Sequence, residues 1–209
     1  FDATNSLAYL AYTSGNPIMG EILYNRAVIL SNKLQYASTK ANCYNLRAYG
    51  FRTQTKLDSA AFYYQMALNI NDTLSPHSAI YGYDNLASIH TSKGDFNSAL
   101  LALTKAIDIA KRTNNQIAYG SVLGASSFVY GLVGEFEQGL KNSDTALSIF
   151  NKTGNTVRLA NAYISRGTLL ENQGQYKEAI RSFMIADSIY KEQKLNEYRT
   201  TAFTDMGVV

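Results

Sequence analysis

Small and hydrophobic residues fall into a pattern that returns every 39 or 40 positions along the chain. Its clearest mark is an alanine late in each block: Ala27, Ala67, Ala106, Ala146 and Ala186. Seven positions before each stands another small residue (Gly20, Ala60, Ala99, Gly139, Ala179), and three positions after each a branched aliphatic (Leu30, Ile70, Ile109, Ile149, Ile189). Between the two small residues lies Tyr24, Tyr64, Leu103 or Phe183, with Ser143 the exception. The first half of each block repeats as well: Ala8, Ala48, Ala87, Ser127 and Gly167 follow Thr4, Tyr44, Tyr83, Leu123 and Tyr163 by four positions. Positions three, four and seven apart share one face of an α-helix, so each block predicts two amphipathic helices. The small residues let two backbones approach, and the large ones fill the groove beside them.

Turn signals separate the two helices of a block. Gly15-Asn16-Pro17, Gly94-Asp95-Phe96, Gly134-Glu135-Phe136 and Gly174-Gln175-Tyr176 each place a glycine where a helix end needs a left-handed residue. Asn16 and Asp95 then suit the next N-cap, and Pro17 suits a first helical turn. The second block has Thr55-Lys56-Leu57 with no glycine, which predicts a less regular turn. The repeats run over 1–40, 41–79, 80–119, 120–159 and 160–199 of one solenoid, residues 1–209. A partial sixth at 200–209 is marked by Ala202, Phe203, Met206 and Gly207. Its second helix is missing and it ends on Val208-Val209, which favours truncation over a polar cap.

Leu86-Ala87, Gly94-Asp95-Phe96, Ala99, Leu103 and Ala106 resemble the small-large pattern of the tetratricopeptide repeat family, with His90 where the family usually has Tyr. The resemblance covers essentially the whole chain. It implies an all-α fold, a right-handed superhelical solenoid of helical hairpins, whose first helices line a concave ligand-binding face. The family's common period is ~34 residues with a proline near the block end. Only Pro76 stands there in this chain, so the second helices are expected to run on by roughly one turn of ~3.6 residues. This longer variant is similar to sensor regions of Bacteroidetes-type signalling proteins.

Composition narrows the function classes. Hydrophobic residues make up 46% and charged residues 17%, with a net charge of +3, which describes a folded chain. No Lys/Arg-rich run or basic face points to nucleic acid. No apolar run approaches the ~20 residues of a membrane span. Sixteen tyrosines and low charge favour a periplasmic or other extracytoplasmic setting over the cytoplasm. Phe1 in place of an initiator methionine leads to the expectation of a secretion signal upstream; a membrane-spanning helix and a signalling output domain are expected downstream of Val209.

The concave-face positions that the resemblance implies are Asn5, Ser6, Tyr9 and Tyr12 in the first block, then Asn42, Asn45, Tyr49 and Arg52 in the second. The third block supplies Tyr81, Asp84, Asn85 and Ser88. In the fourth the groove turns apolar with Ala125, Phe128 and Leu132; in the fifth it is polar again, with Asn161, Ser165, Glu171 and Asn172. Asn5, Asn45 and Asp84 should form a ladder of side chains able to hold a peptide backbone, with Tyr9 and Tyr49 as flat walls. Ligand binding is assigned to Asn5, Tyr9, Tyr12, Asn42, Asn45, Tyr49, Arg52, Tyr81, Asp84 and Ser88. The basic positions that grip chaperone C-termini in one subclass are absent, since Arg52 alone cannot replace that cluster.

Catalytic chemistry finds little support. His77 and His90 are the two histidines and Cys43 the sole cysteine; their spacing suits no metal, cofactor or disulfide, and His90 reads as a core residue. Arg47 and Arg166 replace an apolar residue and should pack their stems while reaching a carboxylate, with Tyr44 and Tyr163 positioned to stack on them. The expected function is therefore a non-enzymatic protein- or peptide-binding scaffold, the sensor or interaction region of a larger bacterial signalling protein. Alternatives are a peptide-regulated phosphatase-like regulator, which would need a further catalytic helical bundle, and a solenoid that serves assembly alone as a homodimer.

Overall fold

The structure is a computed structural model that describes residues 1–194; the partial sixth repeat, 200–209, lies outside the described residues. The described residues form ten α-helices and no strand. They pair as helical hairpins: α1 (Asp2–Thr13) with α2 (Pro17–Leu34), α3 (Ala37–Thr53) with α4 (Leu57–Leu74), and α5 (Pro76–Ser92) with α6 (Phe96–Arg112). After these come α7 (Gln116–Leu132) with α8 (Phe136–Thr153) and α9 (Thr156–Asn172) with α10 (Tyr176–Glu192). The chain is a helical repeat solenoid. Its hairpins gather into two compact units, one of Phe1–Thr113 and one from Asn114 onward.

From the second hairpin on, each hairpin starts four residues ahead of its sequence block: α3 at Ala37 against 41, α5 at Pro76 against 80, α7 at Gln116 against 120, α9 at Thr156 against 160. Core positions repeat in every block, whereas the N-cap changes from Tyr36 and Ser75 to Asn115 and Asn155, so the repeat marks the packed face more clearly than the helix end. The second helices are long, 18 residues in α2, α4 and α8.

The caps follow their chemistry. Asn16 Oδ1 accepts the Met19 N–H at 3.0 Å, and Asp95 accepts the Ser98 N–H at 3.1 Å, each closing an otherwise orphan donor of the first turn. The second turn corrects its expectation. Thr55 takes the left-handed conformation itself (φ 58°), and the Lys56 N–H reaches the Phe51 carbonyl at 2.9 Å. The same bond closes the Gly15 and Gly94 turns, at 2.9 Å in both. Hydrogen bonding thus holds the turn geometry even where a side chain opposes it.

The repeating alanines Ala27, Ala67, Ala106 and Ala146 are fully buried, as is Ala186. In the first unit Tyr12 lies in a slot made by two glycines: a Cβ added at Gly20 or Gly50 would come within 2.6 Å of its ring. Tyr64 packs with Ala48, Ala60 and Ile89. In the second unit Phe150 presses on Gly120 and Phe183 on Gly167, while Tyr190 packs against Ala160 and Ala186.

Candidate functional site

In the first unit, α1, α3 and α5 together bound a cleft of about 210 Å³. Helix α1 supplies Asn5 and Tyr9; α3 supplies Asn42, Asn45, Tyr49 and Arg52; α5 supplies Asn85, and Tyr64 of α4 forms part of the lining. The Tyr9 and Tyr49 rings lie 4.4 Å apart between centroids, and the Arg52 guanidinium sits 5.0 Å from the Tyr49 centroid. Burial, then contact with Tyr9, raises the Tyr49 hydroxyl above its ordinary pKa, while burial pushes Tyr64 up to about 12. Both therefore stay neutral donors at physiological pH.

The amide groups give the cleft its character. The Oδ1 atoms of Asn5 and Asn45 are buried and have no hydrogen-bond partner among the described residues. A buried acceptor left unpaired costs about 1–3 kcal/mol, so each is poised to accept a donor that enters the cleft.

One residue expected on the concave face lies elsewhere. Tyr12 is in the core, 3% exposed, with its hydroxyl donating to Glu21 at 3.2 Å. Glycine at positions 20 and 50 creates the slot that draws its ring inward, a signal that the first-helix register alone does not carry. Tyr81, Asp84 and Ser88 are not among the residues lining this cleft, and α5 contributes Asn85 where the ladder called for Asp84. Arg47 pairs with Glu21 as a carboxylate partner, yet its guanidinium lies over Tyr24 (4.8 Å) and Phe51 (4.5 Å), not Tyr44. Arg166 pairs with Asp144 at 3.0 Å. Cys43 is buried, which raises its thiol pKa away from reactivity. Among the described residues, no three His, Cys, Asp or Glu side chains gather as a metal site, and no helix is long and apolar enough to cross a membrane.

The second unit holds a cavity of about 310 Å³ between α7 and α9, lined in part by the concave-face positions Ala125, Phe128, Asn161 and Ser165, while Gly120, Gly124 and Arg158 are not among the positions expected there. Gly120, Gly124, Ala125 and Phe128 line it from α7, and Arg158, Asn161 and Ala162 from α9. The usable signal in the sequence was Gly124, a mid-helix glycine that marks none of the repeating small positions.

A tetratricopeptide repeat model matches residues 81–116, across the third hairpin, and another matches 160–193, across the fifth. No curated protein matches the chain by sequence. Among solved structures, BtubC (BKLC) from P. vanneervenii is similar with a TM-score of 0.79 at 20% identity, over 92% of this chain and 80% of that one. A Rap protein complexed with Competence and Sporulation Factor gives 0.65 at 14% identity, over 99% of this chain and 71% of that one. A Signal Transduction ATPase with Numerous Domains from Pyrococcus horikoshii, which has a tetratricopeptide repeat sensor, gives 0.75 at 12% identity, over 99% of this chain and 37% of that one. At these identities the likeness concerns the fold. With the repeat in the sequence, the hairpins in the structure and the two matching repeat models, the chain belongs to the tetratricopeptide repeat family.

Proposed function

We propose that this chain is a protein- or peptide-binding scaffold without catalytic activity, and that the cleft of its first unit receives an extended peptide. The observation that carries the proposal is the pair of buried, unpartnered carboxamide oxygens of Asn5 and Asn45. Backbone N–H groups of an extended peptide are donors of the right kind, and Tyr9 and Tyr49 offer flat apolar wall with polar tips. Arg52 adds a cation at the same cleft. Two structural neighbours lend context: one is described as carrying a repeat sensor and another is complexed with a factor. Within this proposal the chain serves as the sensing or interaction region of a larger signalling protein, working outside the cytoplasm.

The test begins with a peptide array, followed by titration of the captured sequence. Tyr49→Ala is expected to weaken binding by about 2 kcal/mol, as loss of a central aromatic anchor does. Asn45→Ala is expected to weaken it while unfolding at or above the parent's denaturant midpoint, because the substitution removes an unpaired buried acceptor. Parent-like binding by both variants places the ligand on another surface and overturns the proposal.

A further inference from the structure

The cavity of the second unit combines an apolar hollow with hydrogen-bond donors. At about 310 Å³ it stands near the small end of the ~300–1,000 Å³ range of ligand pockets. Its apolar wall is Ala125, Ala162, Phe150 and Phe128, the last of these 47% exposed although aromatic. Gly124 keeps the hollow open. A Cβ at Gly124 would meet nothing within 4 Å, in contrast to Gly120, where it would meet the Phe150 ring at 2.9 Å. Packing therefore explains Gly120 and leaves Gly124 unexplained, although glycine in a helix interior is destabilising relative to alanine.

The polar groups at this cavity point to the charge of its occupant. Arg158 Nη1 donates to Ser121 Oγ at 2.7 Å, and Arg158 takes part in none of the ion pairs among the described residues. Asn161 Oδ1 accepts the hydroxyl of the buried Tyr190, which leaves the Nδ2 amide hydrogens as its free donors. Among the described residues, no carboxylate lines the cavity. A guanidinium and an amide donor beside an apolar hollow are complementary to a carboxylate carried on an apolar group.

We propose that this cavity binds a small aryl- or branched-alkyl carboxylate, its hydrocarbon in the hollow kept open by Gly124 and its carboxylate held by Arg158 and Asn161. The probe is 3-phenylpropionate, titrated into the isotope-labelled chain and followed by NMR, with uncharged 3-phenylpropionamide as the control. Saturable shifts confined to Gly120–Phe128 and Arg158–Ser165 are expected, with the amide binding at least about tenfold more weakly, the loss of a charge-assisted hydrogen bond. Gly124→Leu should abolish binding, because its side chain enters the hollow without a clash, while the thermal midpoint stays at or above the parent's. Arg158→Gln should reduce acid binding to the level of the amide, and Arg158→Lys should restore part of it. Equal binding of acid and amide, undiminished binding by folded Gly124→Leu, or no saturable shift in the millimolar range would each overturn the assignment.

Discussion

Tyrosines fill several gaps of the first compact unit where phenylalanine and leucine fill most of those of the second, with Leu68 against Gly82 in the first and Tyr190 against Ala160 and Ala186 in the second as exceptions. Tyr12 occupies the slot of Gly20 and Gly50, Tyr64 packs on Ala48 and Ala60, and Tyr83 sends its hydroxyl to Asp72 at 2.7 Å. In the second unit Phe150 fills against Gly120, Phe183 against Gly167, and Leu169 against Gly131 and Gly139. The repeat prescribes where a backbone must come close and leaves open what fills the space beside it. A tyrosine filler brings a hydroxyl that must end at a polar edge, and the cleft of the first unit is correspondingly amide- and hydroxyl-rich. Hydrocarbon fillers make no such demand, and the cavity of the second unit is largely apolar, with Asn161 at its wall taking the hydroxyl of Tyr190.

The comparison breaks first at Tyr12. Tyr12→Ala would leave an aromatic-sized void between two glycines that cannot fill it, at an expected cost of about 3–5 kcal/mol by urea unfolding. Tyr12→Phe keeps the volume and loses only the bond to the half-buried Glu21, at an expected ~1 kcal/mol. A loss below ~1 kcal/mol for Tyr12→Ala would mean that the ring is not structural and belongs to the groove after all.

Alkaline titration sharpens the same contrast. Burial, then Glu21, raises Tyr12 from 10.0 to about 12, and burial raises Tyr64 to about 12. Burial together with Asp72 does the same for Tyr83. In the unfolded chain these phenols ionise near ~10, so the stability they contribute is complete below that pH. It is lost as pH rises from there through about 12, because the unfolded state then releases protons that the folded state retains. Phe150, Phe183 and Leu169 carry nothing that ionises in this window. Denaturant midpoints measured against pH should fall over this window, more steeply for the parent than for Tyr12→Phe, with tyrosinate absorbance appearing on unfolding. A flat profile would show that the buried phenols ionise freely in the folded state.

The fold was legible in the sequence because close helix approach leaves few choices at a position: alanine, glycine or serine recurs at the repeat spacing, and the buried Ala27, Ala67, Ala106, Ala146 and Ala186 follow from it. The cleft of the first unit was legible in part. First-helix register places Asn5, Tyr9, Asn42, Asn45, Tyr49 and Arg52 around one opening, since a helix fixes side-chain direction by position. Register cannot say which large side chain an opposing glycine draws inward, so Tyr12 was assigned to the wrong side. The second-unit cavity was legible in part, through Ala125, Phe128, Asn161 and Ser165; the rest escaped because its signature is an omission, a missing Cβ at Gly124, while Arg158 looks like any other surface cation until it is seen to join none of the ion pairs among the described residues.

The smallest effect concerns the turns, where the first unit differs within itself. Gly15 and Gly94 close two of its hairpins in the left-handed region at φ of 74° and 75°, and Thr55 closes the third at 58°. For a residue with a Cβ that conformation costs about 1–2 kcal/mol, and β-branching adds crowding. Glycine at the same place removes the clash but has more backbone freedom to lose on folding, about 0.5–1 kcal/mol. It also forfeits the bond from Thr55 Oγ1 to the Gln54 carbonyl, which is exposed to water and therefore worth little. The balance predicts that Thr55→Gly stabilises by about 0.5–1 kcal/mol. Gly94→Ala, the reciprocal change in the next hairpin, is expected to destabilise by about 1 kcal/mol. Denaturant midpoints of the two variants should thus move in opposite directions from the parent. If Thr55→Gly lowers the midpoint instead, the threonine contributes something in the turn beyond backbone geometry, and the equivalence of the three turns fails.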